Sequence, residues 1–381
     1  MAAGFERVRD VFGDNFEGHG DVGAALCVYR HGRKVVDLWG GLADAGTGRP
    51  WTRDTLQLVY SATKAATATC AHLLAQRGEL DLDQPAAHYW PEFAAAGKAD
   101  IPVRWLLSHR AGLPVIDNPM PLADLLAWDP MAAALAAQRP VWEPGTAHGY
   151  HGRTFGWLVG EVIRRVSGRS VGTFFAEEIA GPAGLDFYIG LPAAERGRVS
   201  RMVIDDPPGA EVANIPLDQI PEQFRPLVAA FTDPESLMNR AFGLSVPDID
   251  FNSPEAQAAE IPSSNGICTA DGLARLYAAR SARSTASASW TPPRWPMRLR
   301  SRPSGPTRCC WCPAVSRRGS CSRPRSLRSA ARTRSAIRGV AGRSASATRR
   351  AVSRSAMWSA TSGRTWPTTV RGYSCRPSGP A

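Results

Sequence analysis

The stretch 58-LVYSATKAATATCAHLLAQRGEL-80 opens as an apolar run, places a serine at 61 and a lysine at 64, and continues as a helical pattern closed by Gly78. Only three lysines occur in the 381 residues, at 34, 64 and 98. Residues three apart in a helix share a face, so Lys64 lies one turn from Ser61 in a helix predicted over about 61–77. A serine hydroxyl is a weak nucleophile near neutral pH and needs a base beside it. A lysine serves as that base when burial or a neighbouring cation lowers its pKa. The partial positive charge of a helix N-terminus favours the neutral amine and stabilises an oxyanion near the Ser61 N–H. The alternative is a serine cap with a solvated lysine, so the motif needs context.

Outward from this stretch, residues 6–18 form an amphipathic pattern, with Val8, Val11, Phe12 and Phe16 at helical spacing. The run GAALCVYRHGRKVVDLWGG predicts a β-hairpin, Ala25–Tyr29 up and Lys34–Gly40 back, with Gly32 in the turn. PVRWLLSHRAGLP predicts a short helix ended by Gly112 and Pro114, and residues 122–138 an Ala-rich helix. Further helices are expected over about 154–167, stopped by Gly168, in SVGTFFAEEIAGPAGL, and after the turn SSNG. Residues 190–262 are Pro-rich and mixed, and no internal repeat stands out.

Some 90 residues beyond Ser61, the loop EPGTAHGYHG presents Tyr150 between Gly149 and Gly152. With LVYSATKAATA, LDLDQPAAHYWPEF, VRWLLSHRAGLP, WEPGTAHGYHGRTFGWLVGEVIRRVSGR and SSNGICTADGLARLY, in that order, the chain resembles the serine β-lactamase-related hydrolases over about residues 15–280. These comprise class C β-lactamases, low-molecular-weight penicillin-binding proteins and family VIII carboxylesterases. The resemblance implies an α/β (α+β) fold, an antiparallel sheet flanked by helices plus a helical subdomain. It implies Ser61 as the acylated nucleophile, Lys64 as its base partner and Tyr150 as the proton carrier that later activates the deacylating water. It implies no metal and no cofactor, and a small ester or amide as substrate.

Two departures from the family pattern matter. The lactamases carry Asn two residues after the tyrosine, where this chain has Gly152, which is closer to the esterase branch. The family's third motif, on a strand beyond residue 280, has no match in 281–381. Without those strands the 25–40 hairpin is expected to stand as an isolated pair with open edges, and one oxyanion donor is expected to be missing.

The composition breaks at the same place. Residues 281–381 hold 21 Arg and no Lys, Asp, Glu, His, Asn or Gln, with 20 Ser and five of the eight cysteines. Residues 1–280 hold 24 basic and 34 acidic residues, a net of −10. The chain is therefore read as a hydrolase domain over 1–280, incomplete at its end, and an Arg/Ser/Pro-rich tail over 281–381 expected to be disordered. Such a tail fits a GC-rich gene read out of frame from about residues 279–283; the rival reading is a nucleic-acid-binding arm.

The remaining signals are bland. His148 and His151 lie three apart but lack the further ligands of a zinc site. His109 in LLSHRAGLP is read as structural, although a Ser–His site is the obvious rival. Asp81 and Asp83 read as turn formers, and Cys27, Cys70 and Cys268 as small apolar residues. The chain shows no run of 18 apolar residues and no leader-like segment, so a cytoplasmic setting without membrane attachment is expected. The leading expectation is a carboxylesterase for small esters, and the alternative a β-lactamase or D-Ala-D-Ala carboxypeptidase.

Overall fold

A computed structural model describes residues 1–203, 219–281 and 358–359. The expectations for 281–381 otherwise lie outside the described residues. The N-terminal helix Glu6–Gly18 packs Phe12 and Phe16 edge to face, 5.3 Å between ring centroids. Val11, placed on the same apolar stripe by sequence, faces solvent instead. Both phenylalanine rings lie against Gly40, so the stripe that meets the sheet is narrower than the sequence implies.

Strands β1 (Gly23–Arg30) and β2 (Arg33–Asp44) form the expected antiparallel hairpin, longer at both ends than predicted. The two-residue turn has positive φ at both His31 (50°) and Gly32 (75°), the conformation whose twist suits a tight hairpin. Gly41, at φ 76°, comes so close to its neighbour that a Cβ would sit 2.2 Å from the Val22 carbonyl oxygen.

The hairpin is not isolated. Strand β3 (Arg49–Pro50) pairs with β2, and β9 (Trp358–Ser359) pairs with β1 at Ala24 and Ala25, giving the order β3-β2-β1-β9. The helix Ala270–Ser281 packs on β1 as well. Its Asp271 accepts hydrogen bonds from the Tyr29 hydroxyl and the Cys27 thiol and pairs with Lys34 at 2.8 Å. Edges that sequence left open are therefore partly covered by two short strands, and a helix anchored by a partly buried ion pair braces β1.

A second, three-stranded sheet lies beside the site. Strands β4 (Gln57–Leu58), β6 (Phe187–Tyr188) and β8 (Ile267–Cys268) run in the order β4-β8-β6. A short parallel pair joins β5 (Met120–Pro121) to β7 (Ser245–Val246).

The largest core is helical. The helix Thr63–Gln76 packs against Phe155–Ser167, which is buried on every side from Phe155 to Ile163. Trp90, Phe93, Trp157, Phe174 and Phe175 fill the space around them. Two helical expectations need correction. The 122–138 segment is two helices, Leu122–Leu126 and Asp129–Ala137, because Trp128 turns to φ 69° ahead of Pro130. The helix at 103 ends at Leu107, where His109 (φ 60°) reverses the chain before Gly112 is reached. The helix expected after Ser170 is present as α-helix over Val171–Phe175, widens by one π turn over Ala176–Ala180, resumes as α-helix over Gly181–Ala183 and stops at Gly184.

Lys98, fully buried, donates to the carbonyls of Ala95, Ala136 and Gln138 at 2.8, 2.9 and 2.7 Å, which ties off the end of the Asp129–Ala137 helix. Asp81 accepts the Asp83 N–H at 2.8 Å, the turn role expected of the pair. Cys70 and Cys268 are buried free thiols, and Cys27 is half-buried.

Candidate active site

Strand β4 leaves the sheet at Tyr60, a non-glycine residue at φ 42°. That conformation is costly for a residue with a Cβ and persists only where its surroundings hold it. Here the Tyr60 ring packs edge-on against Phe251, its backbone bridges Asn265, and the Val59 N–H donates to Gly266 O at 2.8 Å. The Thr63 N–H and hydroxyl both donate to Tyr60 O. The forced turn puts Ser61 at the surface, ahead of the helix rather than in it, since the helix proper begins at Thr63.

Lys64 is 9 % exposed and turns its amine back to Ser61 Oγ at 3.1 Å. It also donates to two backbone carbonyls, Gly152 O at 2.6 Å and Ser263 O at 2.9 Å. An ammonium would fill these three positions with three protons. A neutral amine would give its two protons to the two carbonyls and aim its lone pair at the serine. The arrangement thus suits an amine that takes a proton from Ser61 and returns it.

Tyr150 closes the third side. Its hydroxyl lies 2.6 Å from Ser61 Oγ, and Lys64 Nζ stands 4.8 Å from the centre of its ring. The structure therefore brings together all three residues singled out from the sequence.

The neighbouring histidines do not act as bases in this geometry. Burial, with smaller contributions from His151, Lys64 and His148, pushes His109 down to about 2; burial above all holds His151 at about 4. Both are neutral at ordinary pH. The Nε2 atom of His151 accepts the Leu113 N–H at 2.9 Å, so its proton is on Nδ1 and faces Gly149 O at 2.6 Å. With both ring nitrogens engaged, His151 has nothing to offer a metal, and no cluster able to hold one exists among the described residues.

Gly152 is fully buried against Phe242, where a Cβ would meet the ring at 2.9 and 3.0 Å. The room that an asparagine side chain needs in the resembling lactamases is here occupied by an aromatic ring. The Gly152 carbonyl, by contrast, is used by Lys64.

Sequence reasoning missed the two carbonyls that hold Lys64, because a backbone acceptor has no side-chain signature. Ser263 was visible only as part of the SSNG turn. That turn is knit by Asn265, whose side chain accepts from Ile261 N and donates to Ala256 O, each at 2.9 Å. The Ser263 hydroxyl donates to Arg153 O at 2.7 Å, and Arg153 pairs with Asp248.

The architecture is that of the β-lactamase and penicillin-binding proteins. The chain superimposes on a family VIII carboxylesterase with a TM-score of 0.61 at 41 % identity, covering 73 % of this chain and 69 % of that one. EstA from Arthrobacter nitroguajacolicus Rue61a matches with the same TM-score at 34 % identity, covering 73 % and 68 %. The model of the family described as Beta-lactamase matches residues 8–310, and the chain belongs to that family. The esterase/beta-lactamase LipL of Mycobacterium tuberculosis (strain ATCC 25618 / H37Rv) is 37 % identical over 277 residues. That alignment takes in 72 % of this chain but 62 % of LipL, so the chain spans less than two thirds of that relative's length.

Proposed function

We propose that the protein is a serine hydrolase that cleaves small carboxylic esters through an acyl-enzyme on Ser61. The observation that carries this reading is the three-way contact at Ser61 Oγ, with Tyr150 at 2.6 Å and Lys64 at 3.1 Å. In the proposed reaction neutral Lys64 takes the Ser61 proton as Oγ bonds to the ester carbonyl carbon. The Ser61 N–H stabilises the oxyanion. Tyr150 gives its proton to the departing alkoxide and is reprotonated from Lys64. Water, deprotonated by the same pair, then attacks the acyl carbon and returns Ser61 to its starting state.

Esters are favoured over β-lactams by Gly152. The resembling lactamases use an asparagine amide at this position, and here the ring of Phe242 takes its space. The similarity to a family VIII carboxylesterase supports the same preference. Fluorophosphonate labelling, with hydrolysis of p-nitrophenyl butyrate and nitrocefin side by side, tests the reading. Label on Ser61 and ester turnover well above nitrocefin turnover are expected; no label, or nitrocefin as the better substrate, overturns it.

We also propose that residues 281–381 are an out-of-frame readout that replaces the strand bearing the third motif. The Arg-only charge and the loss of six residue types from that point support this. The chain as written is then slower than its in-frame parent by the contribution of one oxyanion donor, about 10²–10³ in rate.

A further inference from the structure

We propose that His109 is a positioning residue that holds the Tyr150 hydroxyl on Ser61 by tying down the peptide groups on both sides of Tyr150. The inference rests on the reading of Tyr150 as the proton carrier. Two bonds make the clamp. The Gly149 N–H donates to the His109 carbonyl at 3.1 Å, and the His151 N–H donates to His109 Nδ1, also at 3.1 Å. One residue thus engages the amide before Tyr150 and the amide after it. The imidazole lies alongside the phenol it brackets, 5.0 Å between ring centres.

A loop with glycine at 149 and 152 has more backbone freedom than a 2.6 Å contact tolerates, so Tyr150 needs an external hold. The hold is itself well seated. His109 packs against Phe155 at 5.3 Å and His151 at 5.6 Å. Its backbone sits at φ 60°, which Asn and His adopt more readily than most residues. The clamp needs an acceptor at Nδ1, hence a neutral ring, and burial keeps the ring neutral.

These features separate His109's ring from its acceptor. Asn tolerates positive φ and places Oδ1 close to where Nδ1 sits. Phe keeps an aromatic ring beside Tyr150 and loses the acceptor. The test is the rate of fluorophosphonate labelling of Ser61 in the full chain, with circular dichroism to verify folding. H109F is expected to label about tenfold slower or worse, and H109N to stay within about threefold of the parent. Y150F is expected to be slow, and H109F in the Y150F background to lose nothing further, because the clamp acts only through the phenol hydroxyl. A purely structural role would slow the double variant again. Wild-type rate in H109F, equal slowing in H109N and H109F, or additive losses in the double variant each overturn the proposal. Where H109F does not fold, H109N alone decides. An unlabelled parent chain defeats the hydrolase reading and this proposal with it, whereas a labelled parent with an unaffected H109F defeats only the clamp.

Discussion

The Tyr150 hydroxyl stands 2.6 Å from Ser61 Oγ although 89 residues separate the two in the chain. Neither position could be inferred from local structure, since one follows a strained strand end and the other sits in a glycine-flanked loop. Their contact makes Ser61 a shared partner of a phenol and an amine, and the first prediction follows from that sharing. K64M and Y150F are each expected to lower kcat for p-nitrophenyl butyrate by about 10²–10⁴. The double variant is expected to fall little below the worse single one, because the two groups act as a unit. Fully multiplicative losses in steady-state kinetics would show that they do not.

Gly152 carries the second prediction. G152N pushes a side chain into the Phe242 ring, where the Cβ alone would meet carbon at 2.9 Å. A loss of about 1–3 kcal/mol is expected from such overpacking. G152N/F242A should recover most of it, read by thermal melting. A single variant as stable as the parent would mean that Phe242 yields freely.

Lys98 carries the third. Its ammonium is fully buried and is held by three carbonyls, with the face of Phe93 5.3 Å away. K98M strands those carbonyls without a donor and is expected to destabilise the fold by roughly 3 kcal/mol in urea denaturation. A change within about 0.5 kcal/mol would assign the lysine no structural role.

The pH dependence of stability follows from His109 and His151. Their folded pKa values, about 2 and about 4, lie below the ordinary 6.5 of an unfolded histidine. The folded chain therefore binds fewer protons than the unfolded chain once pH drops below about 6.5. The histidine contribution is fully present above that pH and is lost as pH falls to about 4 for His151 and lower still for His109. Each loss is on the order of a few kcal/mol. Of the groups around His109, His151, Lys64 and His148 all oppose its protonation, and the Tyr150 ring lies beside it. H109N is expected to flatten the fall between pH 6.5 and 4 in denaturant midpoints, and a slope identical to the parent's would contradict it.

The tail gives the last prediction. Restoring the alternate frame after about residue 280 is expected to raise turnover of p-nitrophenyl butyrate by about 10²–10³. Equal rates for the two proteins, or an alternate frame without patterned strands, would remove the basis for calling the tail foreign.

Much of the fold was legible because it is written in local rules. The hairpin turn at His31–Gly32 and the helices closed at Gly78 and Gly168 follow from periodicity and glycine placement. Prediction slipped where backbone conformation was set from a distance. Trp128 and His109 take positive φ without being glycine, and each ended or broke a helix that propensity would have continued.

The sequence by itself determined which groups could do chemistry here: a serine, a scarce lysine one turn on, and a tyrosine in a glycine-flanked loop. Side-chain type and spacing are local properties, and they survive in the one-dimensional chain. Only the tertiary structure decided what surrounds them. The Gly152 and Ser263 carbonyls that seat Lys64, the contacts that hold Tyr60 at φ 42°, and the ring that fills the space beside Gly152 all come from segments far apart in sequence. Backbone acceptors are present at every residue, so which of them reach a buried amine is settled only when the helices and sheets have packed.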